Sequence, residues 1–208
     1  MSSATITTSA RLMNSTPQTE EQAMVRKVAV SSFLGNFIEW FDYASYSYFA
    51  TTIALVFFPT DNHTVAMLQT FGVFALSFIL RPIGALFWGS YGDKKGRKAA
   101  LAHSIMFMSG ASFLIGCLPS YSVIGVGAPI LLLLLRMVQG FSASGEYAGA
   151  ATFLGEYAPT SKRGIYCSLI PASTAIGLLA GSTLATLMTA NMNSSAMVGW
   201  GWRVPFLL

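Results

Sequence analysis

Charge is what this chain lacks most: Asp, Glu, Lys and Arg make up 10% of its 208 residues, against about a quarter in an ordinary soluble domain. So few charged groups cannot cover a water-facing surface of a chain that is 53% hydrophobic, and lipid is the solvent such a composition requires. Cysteine is nearly absent. Cys117 and Cys167 fall near opposite faces of the bilayer in the topology read below, too far apart for a disulfide. His63 and His103 are the only histidines and share no ligand spacing with either cysteine, so neither a metal nor a cofactor is expected. A secretory signal is missing too, because no basic segment leads directly into a short apolar run with a small-residue cleavage site. The net charge is +4, but the cations sit in short clusters between apolar runs rather than along one solvated face. That pattern orients a membrane protein and gives no nucleic-acid surface.

Long apolar stretches are what the chain has instead, six of them. They run from about Val28 to Phe58, Thr64 to Ser90, Ala99 to Leu118, Pro129 to Gly155 and Ile165 to Met188, with a sixth starting near Val198 and cut off at Leu208. Helices are required, because a backbone in hydrocarbon must satisfy its polar groups within its own segment, and barrel strands are shorter and alternate. The fold expected is an all-α membrane protein with five complete spans plus the start of a sixth, over residues 26–208. Residues 1–25, rich in Ser, Thr, Gln and Glu without apolar period, are expected to be a disordered tail. Gly145 with Gly149 and Gly177 with Gly181 form small-xxx-small pairs, read first as close-packing faces.

Loop charges fix an orientation. Arg26 and Lys27 precede the first stretch, Lys94, Lys95, Arg97 and Lys98 follow the second, and Lys162 and Arg163 follow the fourth. The connections at 59–63, 119–127 and 190–196 carry no Lys or Arg. The alternation is the same at every loop and predicts a multi-pass protein with its N-terminus on the cytoplasmic side of a bacterial-type inner membrane.

The loop between the second and third stretches reads Gly89-Ser90-Tyr91-Gly92-Asp93-Lys94-Lys95-Gly96-Arg97-Lys98. Its glycines permit a very short turn, and Asp93 stands beside four cations. It lacks P-loop spacing and follows no strand, so a phosphate cradle is not expected. The run resembles, position for position, the G-x-x-x-D-[RK]-x-G-[RK]-[RK] loop of the major facilitator superfamily. That resemblance implies a gating motif of Gly89, Asp93, Lys94, Gly96, Arg97 and Lys98, with Asp93 latching against a helix of a C-terminal half.

Further runs narrow the resemblance: Glu39-Trp40-Phe41-Asp42, Arg81-Pro82-Ile83-Gly84, Arg136-Met137-Val138-Gln139-Gly140-Phe141-Ser142, Gly145-Glu146-Tyr147, Glu156-Tyr157-Ala158-Pro159 and Trp200-Gly201-Trp202-Arg203. They are similar to the metabolite:proton symporters, a group that includes carriers of proline and glycine betaine, 2-oxoglutarate, citrate and shikimate. Ala143-Ser144 departs from the glycines usual there. The implied fold is the N-terminal six-helix half of a major facilitator transporter, its sixth helix truncated. The implied partners are the bilayer, a proton, a small polar substrate and the missing C-terminal half. The substrate expected is a zwitterion of the proline/betaine kind, since Gly35-Asn36 with the Glu39–Asp42 run resembles that branch, or else an organic acid. A non-transporting remnant or half of a split transporter is the alternative; no nucleophile–base pair suggests an enzyme.

Charge inside a membrane is costly, which marks the few such residues as candidates for function. At about 1.5 Å per residue, Glu39 lies roughly 16 Å from the inner face, and Asp42 one turn further out on the same helix face. Arg136 reaches the depth of Asp42, while Arg81 and Glu146 both fall in the inner third. The expected pairs are therefore Asp42 with Arg136 and, as an inner gate, Arg81 with Glu146. Burial favours a protonated carboxyl and a nearby cation the ionised form, so a moving arginine can load or unload a proton. Glu39, Asp42 and Arg136 are accordingly the candidate proton and substrate pathway; static pairs that lock helix packing are the other reading. The aromatics Trp40, Phe41, Tyr43, Tyr46, Tyr48 and Phe49 either line a cavity able to hold a quaternary ammonium or simply pack.

Overall fold

The computed structural model describes residues 16–144, 151, 154–155 and 158–208. Helix α1 (Thr16–Tyr48) continues into α2 (Ala50–Phe57), and α3 (His63–Ile79) into α4 (Arg81–Lys95). Then come α5 (Arg97–Cys117), α6 (Tyr121–Ile124), α7 (Gly127–Ala143) and α8 (Arg163–Asn191). The described chain closes with α9 (Ser194–Gly199), a 3-10 turn (Gly201–Arg203) and α10 (Val204–Leu207). There is no strand among the described residues.

The α1–α2 joint at Phe49 barely interrupts the helix, since Phe49 N–H still donates to Ser45 O at 2.9 Å and Ile53 N–H to Phe49 O at 2.8 Å. The α3–α4 joint at Leu80 has a clear cause: Pro82 has no N–H to continue the ladder, and its ring is tolerated only where a helix starts. Asn62 caps α3, its side chain accepting from Thr64 N–H and Val65 N–H. At the α4–α5 turn Gly96 has φ +93, a conformation that favours glycine.

Helix α1 begins at Thr16, earlier than the residue 26 boundary read from the sequence. Residues 16–25 of the expected tail are therefore helical, while residues 1–15 lie outside the described residues; Val25 and Ala29 are buried with Leu154 and Ile170 in a small apolar cluster. That contact rewards extending the helix. The sixth stretch is also more broken than its hydropathy suggests, being divided among α9, the 3-10 turn and α10.

Among the described residues, three segments are long and apolar enough to cross a membrane by length and composition: His63–Lys95, Arg97–Cys117 and Arg163–Asn191. Helix α1 is longer than α5 but carries Arg26, Lys27, Glu39 and Asp42. The burial pattern is inverted relative to a soluble protein. Large apolar side chains such as Leu86 (78% exposed), Leu68 and Leu179 point outward, while Glu39, Asp42, Arg136, Gln139, Asn36 and Ser112 are buried. Such an arrangement is stable only if the outside is hydrocarbon.

Small residues set the helix spacings. A Cβ on Gly177 would lie 2.7 Å from Phe37 O, and one on Gly181 would lie 2.6 Å from the Ala44 Cβ, so α8 presses directly on the backbone of α1. Gly177 and Gly181 thus serve the packing role expected of them, while Gly145 and Gly149 lie outside the described residues. Asn36 reinforces the seam, its Nδ2 donating to Ile170 O (3.0 Å), Ser173 Oγ (2.8 Å) and Thr174 Oγ1 (2.8 Å). On the other side, Gly140 of α7 sits against the Ser77 carbonyl of α3, and Gly84 of α4 against Phe141 O. These contacts hold α7, and with it Arg136, against the rest of the bundle.

Candidate functional site

Two ion pairs lie inside the helices, and they are the only ones among the described residues. Asp42 is buried on α1 and Arg136 is completely buried on α7. Arg136 Nη1 donates to Asp42 Oδ2 at 2.5 Å. The other carboxylate oxygen is occupied as well, accepting from Ser112 Oγ of α5 at 3.2 Å and from Gln139 Nε2 of α7 at 3.1 Å. Gln139 Nε2 also donates to Ser112 Oγ at 2.6 Å. Three helices thus converge on one carboxylate.

The local sequence explains the convergence. Gln139 follows Arg136 by three residues and so shares its helix face. Ser112 brings a small hydroxyl to an otherwise apolar face of α5. The guanidinium lies over the Tyr46 ring with its carbon 3.9 Å from the centroid, and over Phe206 at 5.5 Å. Tyr46 is itself held by its hydroxyl donating to Thr70 O at 2.9 Å. The aromatic faces replace part of the hydration a buried cation loses. Arg136 Nε and Nη2 and Gln139 Oε1 remain buried without a hydrogen-bond partner among the described residues.

The second pair involves one member of the expected inner gate. Nη2 of Arg81 contacts both Glu39 Oε1 and the Tyr43 hydroxyl. Glu39 lies one turn before Asp42 on α1, and the break at Leu80 starts α4 with Arg81, whose long side chain covers the difference in depth. Glu146 lies outside the described residues. Phe78 and Tyr43 flank the Arg81 guanidinium at 4.5 and 5.3 Å. Whereas both members of the Asp42–Arg136 pair are buried, the Arg81 side chain keeps 29% of its surface exposed above a Glu39 at 3%.

The aromatic cluster therefore serves the arginines first. Tyr43, Tyr46 and Phe49 are buried, Tyr48 is exposed, and the two cations their faces meet are Arg81 and Arg136. One flank of Asp42 borders a cleft of about 500 Å³ whose lining includes Phe37, Phe41, Ser109, Phe113 and Phe206. The glycine-rich loop is a separate, open feature. Asp93, Lys94, Gly96, Arg97 and Lys98 are all exposed at the α4–α5 turn, Gly89 is exposed on α4, and Asp93 forms no ion pair among the described residues. No group of three or more His, Cys, Asp or Glu among the described residues could hold a metal.

Sequence reasoning named Asp42 and Arg136 as partners, and the structure brings them together. It missed Ser112 and the role of Gln139. The available signal was a polar amide at the spacing that shares the face of an intramembrane arginine.

Known proteins agree with this architecture. The family model described as sugar (and other) transporter matches residues 27–208. The proline/betaine transporter of Salmonella typhimurium is 41% identical over 188 residues, covering 90% of this chain and 38% of the relative. The glycine betaine/proline/ectoine/pipecolic acid transporter of Dickeya dadantii is 42% identical over the same length and shares. A putative proline/betaine transporter of Staphylococcus aureus is 42% identical over 184 residues, covering 88% of this chain and 40% of the relative. The chain thus spans about two fifths of the length of these curated relatives, corresponding to their N-terminal half. Among solved structures, the major facilitator superfamily proton:xylose symporter XylE superposes with a TM-score of 0.74 at 17% identity, covering 90% of this chain and 42% of that one. With helices alone among the described residues and a family model over most of its length, the chain belongs to the sugar (and other) transporter family, and it shares the fold of the major facilitator superfamily symporter it superposes on.

Proposed function

We propose that this chain forms the N-terminal half of a proton-coupled carrier of a small zwitterion of the proline or glycine betaine kind, with Asp42 as the proton-binding group and Arg136 as its counter-charge. The observation that carries the proposal is the Asp42–Arg136 pair itself, a buried ion pair with three donors converging on the carboxylate. A buried carboxylate that keeps its arginine stays ionised, and one that loses it takes up a proton. Helix movement that separates α1 from α7 therefore couples conformation to protonation. The names of the relatives support the substrate class.

Glu39 and Arg81 form a second, partly open pair one turn away, suited to meeting a polar substrate or to closing the path behind it. The exposed Asp93 loop is the gate element, available to a helix of the C-terminal half. Five spans and the start of a sixth cross the cytoplasmic membrane, with the N-terminus inside and Lys94–Lys98 on the cytoplasmic face. The complete burial of Arg136 favours a second reading, in which the pair only locks helix packing. The two are separated by uptake of labelled proline or glycine betaine in cells lacking their own carriers, with the chain expressed beside a second transporter half. Accumulation driven by an inward proton gradient and abolished by a protonophore supports coupling. Accumulation indifferent to the gradient contradicts it.

A further inference from the structure

The unpartnered oxygen of Gln139 carries an inference that rests on Asp42 being the proton site. A primary amide has a donor end and an acceptor end of nearly the same shape. Here the donor end faces Asp42 and Ser112, at 3.1 and 2.6 Å, while the acceptor Oε1 is buried with no partner among the described residues. That orientation suits an ionised Asp42, which can only accept. Protonation of Asp42 on the oxygen facing Gln139 adds an O–H that needs an acceptor, and a turned Gln139 amide would supply one across the same 3.1 Å contact.

We infer that Gln139 is a positioning residue that reads the protonation state of Asp42, turning its amide so that Oε1 accepts from the new carboxyl O–H. The turn changes no charge and needs only rotation about the terminal side-chain bond. It gives the buried oxygen the partner it lacks, and it reverses the bond that ties α7 to α5, so that the Ser112 hydroxyl donates to Oε1 instead of accepting from Nε2. Protonation of α1 is thereby passed to the α5–α7 contact. The titratable and charged groups facing Asp42 are Arg136 from α7 and, on its own helix, Glu39, Tyr43 and Tyr46. None of them can exchange a donor for an acceptor without changing charge except the two hydroxyls, and Tyr46 already donates to Thr70 O. Ser112 and Phe206 face it from α5 and α10.

The test is infrared difference spectroscopy of the protein in lipid nanodiscs, titrated with acid, with glutamine carrying a carbon-13 label at the side-chain carbonyl. The other glutamines are Gln18, Gln22 and Gln69, and the spectrum of Gln139→Leu assigns the Gln139 band. The expected result is a downshift of that band, as its carbonyl gains a donor, with the same midpoint as the appearance of a protonated-carboxyl band that Asp42→Asn removes. In Asp42→Asn, whose amide can donate like the acid, the Gln139 band should sit at its acid-form position at every pH. An Asp42 that titrates while the wild-type Gln139 band stays still overturns the switch and leaves the proton site standing. Absence of any Asp42 carboxyl band across the folded pH range overturns both.

Discussion

Removing one partner of the Asp42–Arg136 pair should be far more harmful than removing both. In Arg136→Met the carboxylate keeps its bonds from Ser112 and Gln139, so the loss should sit near the lower end of the 3–5 kcal/mol typical for an orphaned buried charge, about 3 kcal/mol. In Asp42→Leu the guanidinium loses its only hydrogen-bonded acceptor among the described residues, with Nε and Nη2 already unpartnered. Only the Tyr46 and Phe206 rings remain, so the loss should be larger, about 4–5 kcal/mol. The double variant Asp42→Leu/Arg136→Met removes both charges and keeps the Gln139–Ser112 bond, and should be more stable than either single variant. The assay is reversible unfolding in mixed detergent micelles at neutral pH, read by tryptophan fluorescence, as a double-mutant cycle. An interaction energy above about 2 kcal/mol is expected. Additivity to within about 0.5 kcal/mol would refute the reasoning, because it would mean that the two charges do not interact.

Three further outcomes follow from the packing and the loops. Gly140→Ala should destabilise by about 1–3 kcal/mol in the same assay, because its Cβ would run into the Ser77 backbone, which cannot rotate away. Asn36→Leu should cost about 1–2 kcal/mol, near the upper range for interhelical hydrogen bonds in membranes, since one amide serves three acceptors on α8. Single cysteines placed at Lys95 and Ser161 of a variant lacking Cys117 and Cys167 should be shielded from an impermeant thiol reagent in intact cells, and one at Asn62 labelled; labelling at Lys95 would reverse the orientation.

The parts of this fold that were legible in the sequence are those set by solvent and by spacing. Apolar length marks the helical stretches, and equal depth plus opposite charge matches Asp42 with Arg136. Depth alone did not suggest the Arg81–Glu39 contact, because counting residues ignores the reach of an arginine side chain and the break that Pro82 imposes at Leu80. The early start of α1 was hidden because its polar composition resembles a disordered tail, while the cluster that stabilises it comes from Leu154 and Ile170, more than a hundred residues away in the chain. Ser112 was hidden for a similar reason. A single serine in an apolar helix usually bonds its own backbone, as Ser104 does to Leu101 O. Only the three-dimensional approach of α1 and α7 turns Ser112 toward a carboxylate.

The central claim is that Asp42 carries the coupled proton, and neutralising it separates coupling from the rest of transport. With the chain expressed beside a second transporter half in proteoliposomes, Asp42→Asn should abolish uphill accumulation of labelled proline or glycine betaine under an imposed proton gradient. The same variant should retain exchange of internal for external substrate, which needs no net proton movement. Gradient-driven accumulation by Asp42→Asn at the wild-type level would contradict the account and leave the buried pair as a packing lock.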